Sequence, residues 1–182
     1  MLRSERVTLR PMTEEDLPAY LRFINDCEIH FLGSDGPPVP TSLPSLLQRF
    51  KEHNTSTSPW FAMEVEGEFI GQCLLYSVDH YNGTCAIGLT IGNRDYWGKG
   101  IGSEVVVLLC DYAFRILNIR KVWLQTTGNN HRGIRCYEKC GFATEGKQIA
   151  QVWMGESYED LITMGLLKSN WHASTQQNRL IR

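Results

Sequence analysis

The six cysteines of this 182-residue chain include no CxxC pair. That spacing would mark a zinc ribbon or a thioredoxin-like redox centre. Cys136 and Cys140 stand four apart with His131 nearby, but two further ligands at usable spacing are lacking. No metal is therefore expected. Most of the cysteines sit in apolar periodic segments, where a free thiol behaves as a small hydrophobe. Long apolar runs are also missing, so no membrane span is expected. Residues 1–6 carry no apolar signal-peptide core. Reduced thiols and the lack of a leader read as a cytoplasmic protein. Neither charge is in excess, with 18 Lys plus Arg against 20 Asp plus Glu. A nucleic-acid partner is not indicated by that balance.

The length and a 42% hydrophobic content fit one domain with a real core. We place that domain at residues 1–167 and a polar tail at 168–182. Val7–Pro11 alternates like a strand. Thr13 opens a helix with acids in its first turn and Leu17, Tyr20, Leu21 and Ile24 as its buried stripe. Turn-rich residues 33–40 lead to a second helix over 41–52, and 54–59 is another loop. Strands follow at 60–65, 69–78 and 84–91, the first two forming a hairpin around Glu66-Gly67-Glu68. A helix over 104–117, a strand over 122–127, a helix over 130–139 and strands at 150–154 and 158–166 complete the order. This predicts an α/β (α+β) fold, a central mixed and mostly antiparallel sheet flanked by helices. The strand–helix–strand unit from 84 to 127 should bring two parallel strands together.

The densest signal is Tyr96-Trp97-Gly98-Lys99-Gly100-Ile101-Gly102 between a strand and a helix. Glycines there allow close approach to the backbone, and a helix start offers unpaired N–H groups to an anion. A phosphorylated cofactor is the expected ligand. Lys99 is followed by Gly100, so the Walker pattern fails. The G-x-G-x-G spacing also differs from the dinucleotide fingerprint.

Three segments in order resemble the GNAT superfamily of N-acetyltransferases. They are Arg6-Val7-Thr8-Leu9-Arg10-Pro11, the glycine loop, and Asn130 to Phe142 with Tyr137 inside it. Within that superfamily the chain looks like the ribosomal-protein N-terminal (RimJ/RimL-type) branch, whose relatives act on polyamines and aminoglycosides. The resemblance implies an acetyl-CoA-dependent N-acetyltransferase, with acetyl-CoA as co-substrate. Backbone N–H groups of Trp97, Gly98, Lys99, Gly100, Ile101 and Gly102 would hold the pyrophosphate. Main-chain groups of Leu89, Thr90 and Ile91 would pair with the pantetheine arm. Asn130 would bond the cofactor, cap its own helix, or do both. Arg132 and Lys99 would meet phosphates or stay solvated. Tyr137 would protonate the leaving thiolate, or else serve as a core-edge aromatic.

Ala86 stands where relatives often carry a glutamate, which removes one candidate base. Asp79, His80 and Glu64 are the replacements considered, with His80 the first choice. The acceptor is a small-molecule or peptide amine, with a protein N-terminus favoured and a polyamine or aminoglycoside behind it. The two N-terminal helices, the loop over 33–40 and the connection over 79–83 would shape its site. Asp26, Glu28, Asp35 and Asp79 could draw a cation there. A non-catalytic acyl-CoA-binding or sensory domain is the alternative. A monomer or homodimer is expected.

Overall fold

Buried and half-buried residues alternate along Val7–Pro11, and this segment forms a strand as expected. It belongs to a computed structural model that describes residues 1–33, 36–53 and 58–171. The parts of the two expected loops at 34–35 and 54–57, and the tail from 172, lie outside the described residues. We number the strands β1 (Leu2–Arg3), β2 (Val7–Pro11), β3 (Trp60–Val65), β4 (Glu68–Asp79), β5 (Thr84–Ile91), β6 (Lys121–Thr127), β7 (Ala143–Trp153) and β8 (Tyr158–Leu167). The helices are α1 (Leu17–Ile24), α2 (Cys27–Gly33), α3 (Leu43–His53), α4 (Ile101–Asp111) and α5 (His131–Lys139).

The described strands form one sheet in the order β1-β2-β3-β4-β5-β6-β8-β7. Every neighbouring pair is antiparallel except β5 and β6, which run parallel across the α4 crossover. That is the mixed, mostly antiparallel sheet read from the sequence. β3 is buried at Trp60, Phe61, Ala62, Met63 and Val65, as a central strand covered on both faces must be. One face packs against α4, whose Val105, Val106, Leu108, Leu109 and Cys110 are all fully buried. The other face holds a smaller core of Met12, Leu17, Tyr20, Leu46, Phe50, Trp60 and Ala62, built with α1 and α3.

The feature that positions the site is a parting of strands. β5 and β6 pair only through Thr84–Lys121, Cys85–Val122 and Ala86–Trp123. β5 then continues along β4 to Ile91, and β6 continues along β8 to Thr127. The edge of residues 87–91 that faces β6 therefore meets no strand among the described residues. α2 contacts both strands near this opening.

Three elements differ from the sequence reading. α4 begins at Ile101, directly after Gly100, so Gly102 and Ser103 lie in its first turn. α2 was not foreseen, being seven residues long; Asp26 starts it by accepting the Ile29 N–H at 3.2 Å. β7 begins at Ala143, well before residue 150, because it is an edge strand exposed along most of its length and lacks an apolar alternation. Trp171 packs on the core, its ring 5.6 Å from Phe114.

The first-turn acids of the N-terminal helix do more than cap it. Asp16 is buried and takes the Thr13 N–H at 2.9 Å and both Arg10 Nη groups at 2.6 and 2.7 Å. Burial raises the Asp16 pKa, but the Arg10 and Thr13 hydrogen bonds outweigh it and hold the carboxyl below its usual 3.8. A depressed folded pKa means that the stabilisation is complete above the unfolded value. It fades as pH falls through the lower folded one. Asp16→Asn should cost about 2 kcal/mol at neutral pH. Its acid-unfolding curve should also be flatter than the parent's, which thermal melts across pH would reveal.

Candidate active site

The N-terminus of α4 and the loop before it form one wall of a cleft of about 390 Å³. Gly98 has φ +73° and Gly100 φ +83°, in the left-handed region that favours glycine. A Cβ at Gly98 would meet nothing within 4 Å, and one at Gly102 would come 3.4 Å from Cys136 Sγ. The open face is thus on the cleft side of the loop. The backbone N–H groups of residues 98–102 meet no acceptor among the described residues, whereas those of Ser103 and Glu104 both return to the Gly100 carbonyl. Consecutive N–H groups at the positive end of a helix suit a phosphate.

The loop is braced from behind. Arg6 Nη1 donates to the Lys99 carbonyl at 2.9 Å and Arg6 Nε donates to Glu104 at 2.6 Å. Ser4 Oγ donates to the other Glu104 oxygen at 2.5 Å. Trp97 ties the front of the loop to β5, its indole N–H donating to the Ile91 carbonyl at 2.7 Å. Arg132 lies over the Trp97 ring at 3.9 Å, and Arg94 lies 5.5 Å from its centroid.

α5 forms the facing wall. Arg132, Arg135, Cys136 and Lys139 line the cleft, as spacings of three and four on a helix allow. No carboxylate lines it among the described residues. Asn130 caps α5 by accepting the Gly133 N–H at 3.0 Å, while its Nδ2 donates to the Leu32 carbonyl at 3.2 Å and to Thr126 Oγ1 at 3.1 Å. Both of its amide hydrogens are thereby used in tying α2 to β6 and α5. A Cβ at Gly133 would sit 2.6 Å from the Asn130 amide, so the cap requires glycine there.

Tyr137 is half-buried, with its ring edge-on to Phe142 at 6.1 Å. Burial pushes its phenol well above the usual range, and the nearby Cys136 and Tyr76 push it further. The neighbouring Cys140 and Ser103 Oγ, the latter at 3.3 Å, hold the Cys136 thiol below its usual range. Burial pushes the Cys85 thiol up to about 12, as a core thiol should be.

Two further cavities adjoin the cleft. One, of about 210 Å³, shares Leu32, Leu89, Asn130 and Tyr137 with it. The other, of about 590 Å³, opens on the α1–α3 side of the sheet and shares Ile29 and Thr90 with it. Tyr76 borders both of these. The three spaces therefore converge around Thr90, Tyr76 and Tyr137, where β5 and β6 part. The largest is walled by Tyr20, Ile24, Ile29, Trp60 and Leu74, with His30 and Arg49 among its polar residues.

Leu89, Thr90, Ile91, Trp97, Gly98, Gly100, Ile101, Gly102, Asn130, Arg132 and Tyr137 thus border one cleft. Lys99 is not among the residues lining it, and its ammonium lies 5.8 Å from the Tyr96 ring. The Ile91 carbonyl is already engaged by Trp97. His80 is not brought to this site. It is exposed in the turn after β4, where Asp79 faces Thr84, whereas Thr90 faces Gln72. Six residues of strand, about 20 Å, separate the two levels. Asp79 belongs to that distant turn as well, accepting the Asn82 N–H at 2.9 Å. Glu64 is held by Arg10 at 2.8 Å. His30, Arg49, Arg135 and Lys139 were not foreseen. The α5 pair could have been, from its spacing to Arg132.

A parallel strand pair splays beside a glycine-rich helix start, with basic residues opposite, an arrangement suited to a phosphorylated carrier. Residues 6–143 match the family described as acetyltransferase (GNAT) domain, and the chain belongs to that family. The spermidine N(1)-acetyltransferase of Escherichia coli (strain K12) is 25% identical over 174 residues, 95% of this chain and 92% of its own. The aminoglycoside N(6')-acetyltransferase type 1 of Klebsiella pneumoniae is 31% identical over 160 residues, 79% and 77% of the two chains. The Vibrio cholerae spermidine N-acetyltransferase, solved in complex with CoA and spermine, superposes with a TM-score of 0.85. It is 24% identical, with 92% and 99% of the chains covered. The protein is an acetyl-CoA-dependent N-acetyltransferase. No helix among the described residues is long and apolar enough to cross a membrane.

Proposed function

We propose that the chain moves the acetyl group of acetyl-CoA directly to a small-molecule primary amine, with both substrates bound at once. The observation that carries this reading is the convergence of the loop-and-α5 cleft with the larger cavity at Thr90, Tyr76 and Tyr137. One cleft has the donors for a phosphorylated carrier, and the other has room for a small molecule. The acceptors of the relatives, spermidine and an aminoglycoside, support a small amine over the protein N-terminus favoured from the sequence.

In this reading the N–H groups of residues 98–102 hold the pyrophosphate, and Arg132, Arg135 and Lys139 neutralise phosphate charge. The free edge of β5 at Leu89 and Thr90 takes the pantetheine amides as an added strand would. Asn130 acts mainly by fixing α2, β6 and α5 around the cleft. The amine attacks the thioester carbonyl and a thiolate departs, so one group must take a proton and another must donate one. Tyr137 donates to the departing sulfur. Its raised pKa keeps the hydroxyl protonated throughout the working pH range.

His30 takes the amine's proton in place of His80. Its Nε2 lies 2.8 Å from the Gly36 carbonyl, which can only accept, so that nitrogen carries the proton. The neutral ring then has Nδ1 as an acceptor. The Arg49 guanidinium lining the same cavity also favours the free amine over the ammonium, because like charges disfavour the charged form.

Initial velocities against both substrates should give intersecting lines and no acetylated enzyme. Parallel lines with a trapped acetyl-enzyme would contradict direct transfer. His30→Gln keeps a donor for Gly36 but no base, and should lower kcat about tenfold or more. Wild-type turnover in this variant would return the proton-accepting role to water.

A further inference from the structure

We infer that the larger cavity is built for a primary amine whose far end is anionic, an aminocarboxylate, and not for a polyamine. This rests on the reading of that cavity as the acceptor site. A polycation needs carboxylates, and no carboxylate lines any of the three connected cavities among the described residues. Among the described residues, the acids expected to attract a cation are spent or distant. Arg94 neutralises Asp26 and Glu28, with contacts at 2.9 and 2.8 Å. Asp79 is in the far turn, and Asp35 lies outside the described residues.

Arg49 differs from the arginines that hold carboxylates. Arg6, Arg10, Arg94 and Arg115 each hold a carboxylate. Arg49 has no ion-pair partner among the described residues, yet it lines the cavity. It lies near the Tyr20 hydroxyl, whose pKa burial raises to about 12 and the guanidinium pulls back. A guanidinium offers a planar fork to a carboxylate. It repels a second ammonium, and specificity against a cation needs only that repulsion. Tyr20, Trp60, Ile24 and Leu74 give apolar walls to the cavity that Arg49 and Thr90 also line. An alkyl or aryl spacer would fit there, with its amine toward Tyr137 and its carboxylate toward Arg49.

Three amines of matched length separate the alternatives: ε-aminocaproate, hexylamine and hexamethylenediamine. Calorimetry on the CoA-loaded protein should show the aminocarboxylate binding about tenfold or more tighter than the diamine, with hexylamine between. Spermidine should bind no better than the diamine. Arg49→Glu should invert the order, and Arg49→Gln should bring the three amines close together. Equal or tighter binding of the diamine to the wild type would overturn the proposal, as would an unchanged order in Arg49→Glu. Thiol release with the same amines reads the transfer reaction separately. The predicted binding order without thiol release upholds the acceptor class and counts against transfer alone.

Discussion

Tyr137→Phe should lower kcat by about 100-fold or more and leave CoA affinity unchanged. The substitution keeps the ring that packs on Phe142 and removes only the hydroxyl. A folding defect is therefore not expected, and thermal melts of the two proteins should coincide. Tyr137 borders both the cleft and the smaller cavity beside it, on the helix that supplies Arg132, Arg135 and Lys139 to the cleft. A general acid is worth two to four orders of magnitude when it is positioned on a departing group. Burial disfavours the phenolate, so no loss of rate from Tyr137 ionisation should occur below about pH 10. A variant with near-parental kcat would make Tyr137 a packing residue. A variant that loses CoA affinity in parallel with turnover would move its role from chemistry to binding.

Gly100→Val should raise the Kd for CoA about 30-fold, the equivalent of ~2 kcal/mol of left-handed strain. The residue has φ +83°, which a β-branched side chain tolerates poorly. An added Cβ would also lie 3.3 Å from Arg6 Nη2. The loop can relieve both problems only by moving. Moving it breaks the Arg6 contacts to the Lys99 carbonyl and Glu104. The N–H groups of 98–102 would then no longer converge. The loop is exposed, so the cost should fall on binding more than on folding, with Tm lowered by only a few degrees. Calorimetric titration with CoA checks this. Affinity equal to the parent's would mean that the loop backbone is not the phosphate cradle.

The cofactor side was legible because its parts are contiguous in the chain. The glycine loop and the segment from Asn130 to Phe142 each carry their own spacing, and the strand, loop and helix order brings them together. Even there the sequence concealed the brace. Arg6 and Glu104 lie 98 positions apart and meet only because β2 packs beside α4. The acceptor side was far less legible. α2 is too short to show a helical period, so Ile29, His30 and Leu32 were left without a place. His30 and Arg49 reach one cavity from two different helices laid on the sheet. His80 is the first choice for the proton from the sequence because of its unperturbed pKa, with the connection after β4 expected to shape the acceptor site. Hairpin register sets the opposite: the turn at 79–83 lies at one end of β5, and the strands part toward the other.

The central claim is that these connected clefts hold acetyl-CoA and an amine together for direct transfer. The most direct test incubates the protein with acetyl-CoA and an amine panel, measuring free thiol and acetylated amine in the same tubes. The panel should span aminocarboxylates, monoamines, polyamines and aminoglycosides. We predict amine-dependent thiol release matched one-for-one by N-acetylated product. CoA binding without any acetylated amine across the panel would contradict the account.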